Sequence, residues 1–327
     1  MKVFVAGGTG AIGKRLVPQL VAAGHDVVAT TRSIKGTDQV HALGAHPAIV
    51  DGLDEGAVLE AVSRAQPEVV IHEMTALGGP MDLRHFDRWF ATTNELRTRG
   101  TDYLIRAAQQ AGSARRLIAQ SYTGWPNIRE GTAVKDEDDP LDPDPPKWMR
   151  ESLAAIRHVE KTVPAAEGLE GVVLRYGALY GPGTSVSNEI AEMLRKRKFP
   201  IVGDGAGVWS FIHVDDAAAA TVAALDHGGP GIYNIVDDDP APAREWLPYL
   251  AAQVGAKPPR RVPAWLGRIA AGEVPVSTMT RIRGSSNAKA RRELGWEPRQ
   301  KSWRQGFAAD GAGSTPEARP PRARPPS

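Results

Sequence analysis

The first thirteen residues, MKVFVAGGTGAIG, have the residue types and spacing to hold phosphate. Val3, Phe4, Val5 and Ala6 form an apolar run that breaks into Gly7, Gly8, Gly10 and Gly13. Such a run reads as a strand buried on both faces of a parallel sheet. Lys14 to Ala23 then carries leucine and valine at helical spacing and stops at Gly24. Strand, glycine turn and helix in that order form the setting in which a Gly-rich motif binds a dinucleotide. Gly7 turns the chain off the strand, Gly10 lets the backbone approach a pyrophosphate, and Gly13 lets the helix press on the sheet. The positive end of the helix faces the phosphates, and Thr9, Ala11 and Ile12 complete the cradle. The spacing here is G-x-x-G-x-x-G rather than G-x-G-x-x-G.

The second strand, Asp26–Thr30, ends in Thr30-Thr31-Arg32-Ser33. An acid about 20 residues past the glycines takes the ribose hydroxyls of NAD, whereas an arginine suits the 2′-phosphate of NADP. No Asp or Glu stands there, but Arg32 does, with Ser33 and Lys35 beside it. A guanidinium grips phosphate with two hydrogen bonds, so NADP is expected over NAD. Ser121 and Tyr122, a hydroxyl and a phenol, stand side by side at the end of the fifth strand. Trp125 and Trp209 are candidates for lining a substrate pocket, and Arg283 for gripping an anionic substrate. The eight histidines form no His-x-x-x-His or Glu-flanked pair, so no metal site is expected. His213 before Asp215-Asp216 reads as a helix N-terminus, which favours acids.

These residues need a scaffold that alternates strand and helix. A polar helix follows Arg32, then a third strand at Ala48–Val50 closed by Asp51-Gly52-Leu53. A helix over about 55–65 leads to the fourth strand, Glu68–His72, and a polar loop, Thr75–Leu83. A long helix covers about 86–110, and the fifth strand is Arg116–Gln120. A helix from Trp148 to Ala166 precedes the sixth strand, Glu170–Tyr176. Val208–Ile212 and Ile232–Val236 read as strands returning to the sheet. The expected fold is α/β, a Rossmann-type doubly wound parallel sheet with a smaller C-terminal substrate-binding lobe. Residues 1–177 and 208–236 would form the NAD(P)-binding part, and 178–207 and 237–307 the lobe. The acidic, proline-rich stretch Gly131–Lys147 reads as a solvated surface loop. Residues 308–327 contain five prolines and no large apolar side chain, and read as a disordered tail.

Composition narrows the partners. The chain has 327 residues, with 40 Lys plus Arg against 38 Asp plus Glu, so charge makes no case for nucleic acid. There is no cysteine, which removes disulfides, thiolate ligands and thiol catalysis. No segment approaches the ~20 apolar residues of a membrane span, and no leader precedes the first strand. A cytoplasmic protein acting on a small molecule is expected.

Together these segments resemble the extended short-chain dehydrogenase/reductase family, the NAD-dependent epimerase/dehydratase group. Beyond the glycines, Asp51 followed by Leu53 resembles the family's acid that reaches the adenine. Val69-Val70-Ile71-His72 is similar to its fourth strand, and Asn94 with Gly100-Thr101 to its Asn…Gly-Thr helix. Leu174-Arg175-Tyr176-Gly177 with Tyr180-Gly181-Pro182-Gly183 resembles the sixth strand and the turn after it. Gly203-Asp204-Gly205, the run Phe211 to Ala217 and KARRELGWEP, Lys289–Pro298, complete the likeness over about residues 1–307. The resemblance implies the Rossmann fold, a nicotinamide cofactor held by residues including Asp51, Leu53 and Tyr176, and a possible homodimer. It also places Ser121 at the family serine, which orients a substrate oxygen, and makes Ser121 and its neighbour Tyr122, a phenol able to supply a proton, the catalytic candidates.

One part of the pattern is missing. The family uses a tyrosine and a lysine four residues later, on one helix face. The lysine lowers the phenol pKa, and the tyrosine exchanges a proton with the substrate oxygen. Here the residues four after Tyr103, Tyr122, Tyr176, Tyr180, Tyr233 and Tyr249 are Ala107, Pro126, Tyr180, Thr184, Asp237 and Gln253. Anchoring on Leu153-Ala154-Ala155 puts Trp148 and Ser152 at the two positions; a shift of one puts Met149 and Leu153 there. Three functions then stand. The first is NADPH-dependent reduction of a small carbonyl compound, with Tyr122 in the missing tyrosine's place. The others are a sugar-nucleotide epimerase or dehydratase, and a non-catalytic NADP-binding sensor or scaffold.

Overall fold

The computed structural model describes residues 1–77, 82–184 and 186–313. Its central sheet has seven strands: β1 (Lys2–Ala6), β2 (Asp26–Thr31), β3 (His46–Ile49), β4 (Val69–His72), β5 (Arg116–Tyr122), β6 (Glu170–Tyr176) and β7 (Gly231–Ile235). All six pairings are parallel, and the order is β7-β6-β5-β4-β1-β2-β3. The chain order reverses beside β1, and a crevice for ligand opens there at the carboxyl ends of the strands. Alternation along β1 explains the two cores. Val3 and Val5 pack with Leu16 and Leu20 of the helix Gly13–Ala22 and with the helix Val214–Ala223. Phe4 and Ala6 face the opposite layer, where Val58, Leu104 and Val159 come from three further helices. A third cluster, with Tyr180, Phe199, Phe211, Trp246, Trp303 and Phe307, gathers the chain beyond β6.

Three expectations change. Val208–Ile212 does not return to the sheet: Val208–Trp209 pairs antiparallel with Ala241–Pro242, and Phe211–His213 pairs with Ala178–Tyr180. The cause is Gly177. Its N–H bonds to the Ile235 carbonyl, the next N–H bonds to the Ser210 carbonyl, and a Cβ at Gly177 would lie 2.7 Å from that same oxygen. At this glycine the extension of β6 leaves β7 for a new partner. Residues 308–313 are helical rather than disordered, because the helix Trp303–Gly313 is anchored by buried Trp303 and Phe307 and propagation from a fixed turn is cheap. The rest of the expected tail, 314–327, lies outside the described residues, as does 78–81 of the expected loop. The acidic stretch is only partly solvated: buried Asp142 pairs with Arg129 at 2.7 Å, and buried Lys135 with Asp139 at 3.1 Å. Among the described residues no helix is long and apolar enough to cross a membrane.

Candidate active site

The glycine turn is held by backbone geometry. Gly7 has φ +101°, and a Cβ there would lie 2.7 Å from the Glu73 backbone; one at Gly13 would lie 2.3 Å from the Gly7 carbonyl oxygen. The Gly10 N–H bonds to the Gly7 carbonyl at 3.0 Å, and the Gly7 N–H to Thr30 Oγ1 at 2.9 Å. Gly10 and Ala11 remain exposed at the helix entrance, where the first N–H groups of a helix lack partners within it. The turn therefore fits a pyrophosphate, as the spacing predicts. Thr9 is half-buried in the same turn. Arg32 lies exposed on the rim, while the Ser33 hydroxyl is engaged in capping its own helix through the Gly36 N–H. The Asp51 carboxylate accepts from the Leu53 N–H at 3.0 Å, closing the turn after β3.

From Gly10, Ala11, Ile12 and Arg32 a cavity of about 700 Å³ runs over the ends of β4, β5 and β6. Its far wall is aromatic: Phe86, Trp89, Phe90, Tyr122, Trp125 and Trp209. The Phe86 and Trp125 rings meet edge to face at 5.2 Å, and Tyr122 stacks on Trp125 at 6.2 Å. Trp125 and Trp209 thus both line the pocket. Arg283 does not reach it, because its Nε donates to the Arg129 carbonyl. Asp216 accepts from the Arg299 and Gln300 N–H groups, and His213 Nδ1 from the Asp215 N–H. That motif is structural. No cluster of three or more metal-ligating side chains exists among the described residues.

The catalytic candidates part company. Ser121 and Tyr122 both lie within β5 rather than after it, and successive strand residues face opposite sides. Ser121 is buried, and its hydroxyl donates to Glu160 Oε1 at 2.9 Å. Glu160 also takes two hydrogen bonds from Arg175, each 2.7 Å, in an ion pair excluded from water. The serine proton is directed at this pair. Tyr122 is half-buried on the cavity wall, and burial pushes its phenol up to about 12, with Arg97 opposing. Neither assignment of the helix positions supplies a proton donor. Trp148 is 49% exposed, and Ser152 is fully buried, donating to Asp87 at 2.7 Å and accepting from Asn94 at 3.1 Å. Met149 and Leu153 are buried in the hydrophobic cluster behind the aromatic wall.

Two groups escaped the sequence reading. Glu73, one residue past β4, lines the cavity with its carboxyl buried, and burial raises it to about 8. The Tyr176 hydroxyl lies 2.8 Å from Glu73 Oε1 and 2.7 Å from Thr221 Oγ1, and Thr221 donates to the Ala217 carbonyl at 2.9 Å. A protonated Glu73 completes this chain with one proton per link. Tyr176 itself also lines the cavity. The second group is Arg97, buried in the lining on a π turn, Leu96–Gly100. Its spacing from Asn94, three residues on the same helix face, was the available signal.

Known proteins resemble this chain in sequence and in fold. Residues 3–236 match the model of the NAD dependent epimerase/dehydratase family. The chain is 44% identical over 314 residues to a 3-diazoavenalumate denitrifying reductase of Streptomyces sp, covering 95% of this chain and 100% of that one. It is 31% identical to a 2-alkyl-3-oxoalkanoate reductase of Stenotrophomonas maltophilia, over 78% of this chain and 76% of that one. Among solved structures, the Thermus thermophilus UDP-glucose 4-epimerase in complex with NAD superposes with a TM-score of 0.72 at 25% identity, over 96% of this chain and 100% of that one. The glycine turn, the seven-stranded sheet and these likenesses together place the chain in the NAD-dependent epimerase/dehydratase family, a nicotinamide-dinucleotide-binding oxidoreductase with a Rossmann fold.

Proposed function

We propose that this protein is a reductase that passes hydride from NADPH to a diazo-bearing aromatic compound, releasing dinitrogen. The observation that carries the reading is the set of proton donors around the cavity. The helix that would hold a tyrosine–lysine pair offers an exposed indole and a serine locked to Asp87, the Tyr122 phenol is held at about 12, and the Glu73 proton and the Tyr176 hydroxyl are spent on one another and on Thr221. Hydride addition to a ketone leaves an alkoxide that needs a positioned acid. Reduction of an aryl diazonium differs: the C–N bond breaks, N2 leaves, a C–H bond forms, and NADPH becomes NADP+. No alkoxide arises. The 44% identical denitrifying reductase supports this substrate class. NADPH, when bound, supplies the hydride. The glycine turn would hold its pyrophosphate, Arg32 its 2′-phosphate, and the aromatic wall would position the substrate ring and exclude water.

The second reading keeps a small carbonyl substrate, protonated by Tyr122. It is favoured by the place of that hydroxyl in the cavity and by the 31% identical oxoalkanoate reductase. One experiment separates the two. The protein is given NADPH deuterated at the transferring position with a panel of 15N-labelled aryl diazo compounds and a panel of ketones. Stoichiometric 15N2 and deuterium in the arene are expected. NADPH consumption on ketones alone transfers the assignment to the second reading, and consumption on neither panel sinks both.

A further inference from the structure

We propose that Arg97 selects the substrate: its guanidinium takes the carboxylate of a planar aromatic acid lying among Phe90, Tyr122 and Trp125. This deepens the reductase reading and rests on it for the identity of the cavity as a substrate site. Arg97 is 3% exposed, and its Nε and Nη1 have no hydrogen-bond partner. A buried charge without partners is costly, so native proteins pair such groups. Among the described residues no carboxylate is ion-paired with Arg97. Glu160, whose charge reaches it, is already taken by Arg175 and Ser121. Glu73, the other acid in the lining, is mostly protonated at neutral pH. No described residue supplies the missing partner, and a ligand carboxylate in the cavity would.

The element that carries Arg97 is itself specialised. Between the helices Ala91–Glu95 and Thr101–Ala111, the five residues Leu96–Gly100 form a π turn, a device found most often at functional sites. His72 braces it. Its Nδ1 accepts from the Met74 N–H at 3.2 Å, so Nε2 carries the proton and donates to the Leu96 carbonyl at 3.1 Å. Arg97 Cζ lies 5.8 Å from the centroid of the Phe90 ring. The geometry offers a fixed fork beside aromatic faces, which suits a bidentate carboxylate on a flat ring. Cofactor phosphate is a weaker fit, since the glycine turn and Arg32 already serve it.

The test is equilibrium binding to the full chain saturated with NADP+, read by quenching of tryptophan fluorescence, since Trp89, Trp125 and Trp209 line the cavity. The probes are 4-hydroxycinnamate and its primary amide. The acid should bind at least about tenfold tighter than the amide, as loss of one charged hydrogen-bond partner implies. Arg97→Met should abolish that preference while leaving the amide constant and the NADPH constant unchanged, and Arg97→Lys should keep part of it. Equal binding of acid and amide, or binding of neither, overturns the proposal. So does a loss of NADPH affinity in Arg97→Met, which would make Arg97 a cofactor ligand. If Arg97→Met fails to fold, the acid–amide ratio on the unaltered protein decides. Acid preference without N2 release sinks the diazo chemistry and spares Arg97; N2 release without acid preference does the reverse.

Discussion

The two ends of the cavity are built by opposite means. At the glycine end, backbone does the binding and the side chains that matter are absent: a Cβ at Gly7 or Gly13 would enter the 2.3–2.7 Å range of main-chain atoms. At the aromatic end everything is side chain, brought from Phe86, Trp125 and Trp209, residues far apart in sequence. The first end has no room for a Cβ at Gly7 or Gly13; the second is made of side chains that can be exchanged without moving the backbone. This is how one scaffold can keep a coenzyme while its reactions diverge.

Breaking the glycine end should have the largest effect. Gly13→Val places branched carbon against the Gly7 carbonyl and the Gly8 backbone, and calorimetric titration with NADPH should show affinity lowered by at least about 10³-fold. Tyr122→Phe tests the opposite end. It should lower any ketone reduction by ~10²-fold but leave dinitrogen release within a few-fold, measured as steady-state rates on both panels. Arg32→Ala sharpens the boundary between the ends: NADPH should bind ~10-fold more weakly with NADH unchanged, and an equal loss for both cofactors would remove Arg32 from the 2′-phosphate.

The smallest effect is on stability against pH. Glu73 and Asp237 are buried carboxyls raised to about 8, so the folded state holds protons that the unfolded chain releases near 4. Each therefore favours folding at low pH and loses that contribution as pH rises towards 8. His72, lowered to about 4 by burial, acts with the opposite sign, its contribution being lost as pH falls from about 6.5. Above pH 6.5 the His72 contribution is level, and each of these two carboxyls adds a decline of up to about 1.4 kcal/mol per pH unit. Glu73→Gln should flatten that limb by one proton in urea titrations at pH 6.5–8, and an unchanged slope would show that Glu73 is ionised throughout.

The same contrast explains what the sequence made legible. Gly7, Gly10 and Gly13 sit in one strand–turn–helix unit, so their spacing carries their geometry, and the alternation of strands and helices gave the sheet. Ser121 and Tyr122 both line the cavity, but a strand end does not say which neighbour will claim a hydroxyl. Glu160 reaches Ser121 across 39 positions. Arg97 was passed over for Arg283, since an arginine in a polar helix looks solvated until the fold buries it. Glu73 had no local mark either: its raised pKa comes from burial, and its partners Tyr176 and Thr221 lie on other elements.

The π turn has a consequence for insertions and deletions. A π turn contains one residue more than the α turn it replaces, and each residue of an α-helix turns the chain by about 100°. Removing any one of residues 96–100 would restore plain α spacing. With Leu104 still packed on the sheet, everything before the deletion would rotate, and Asn94 would swing off Ser152. No uninterrupted α-helix can hold both ends of this segment in register, so the cavity's buried cation hangs on the presence of a single extra codon.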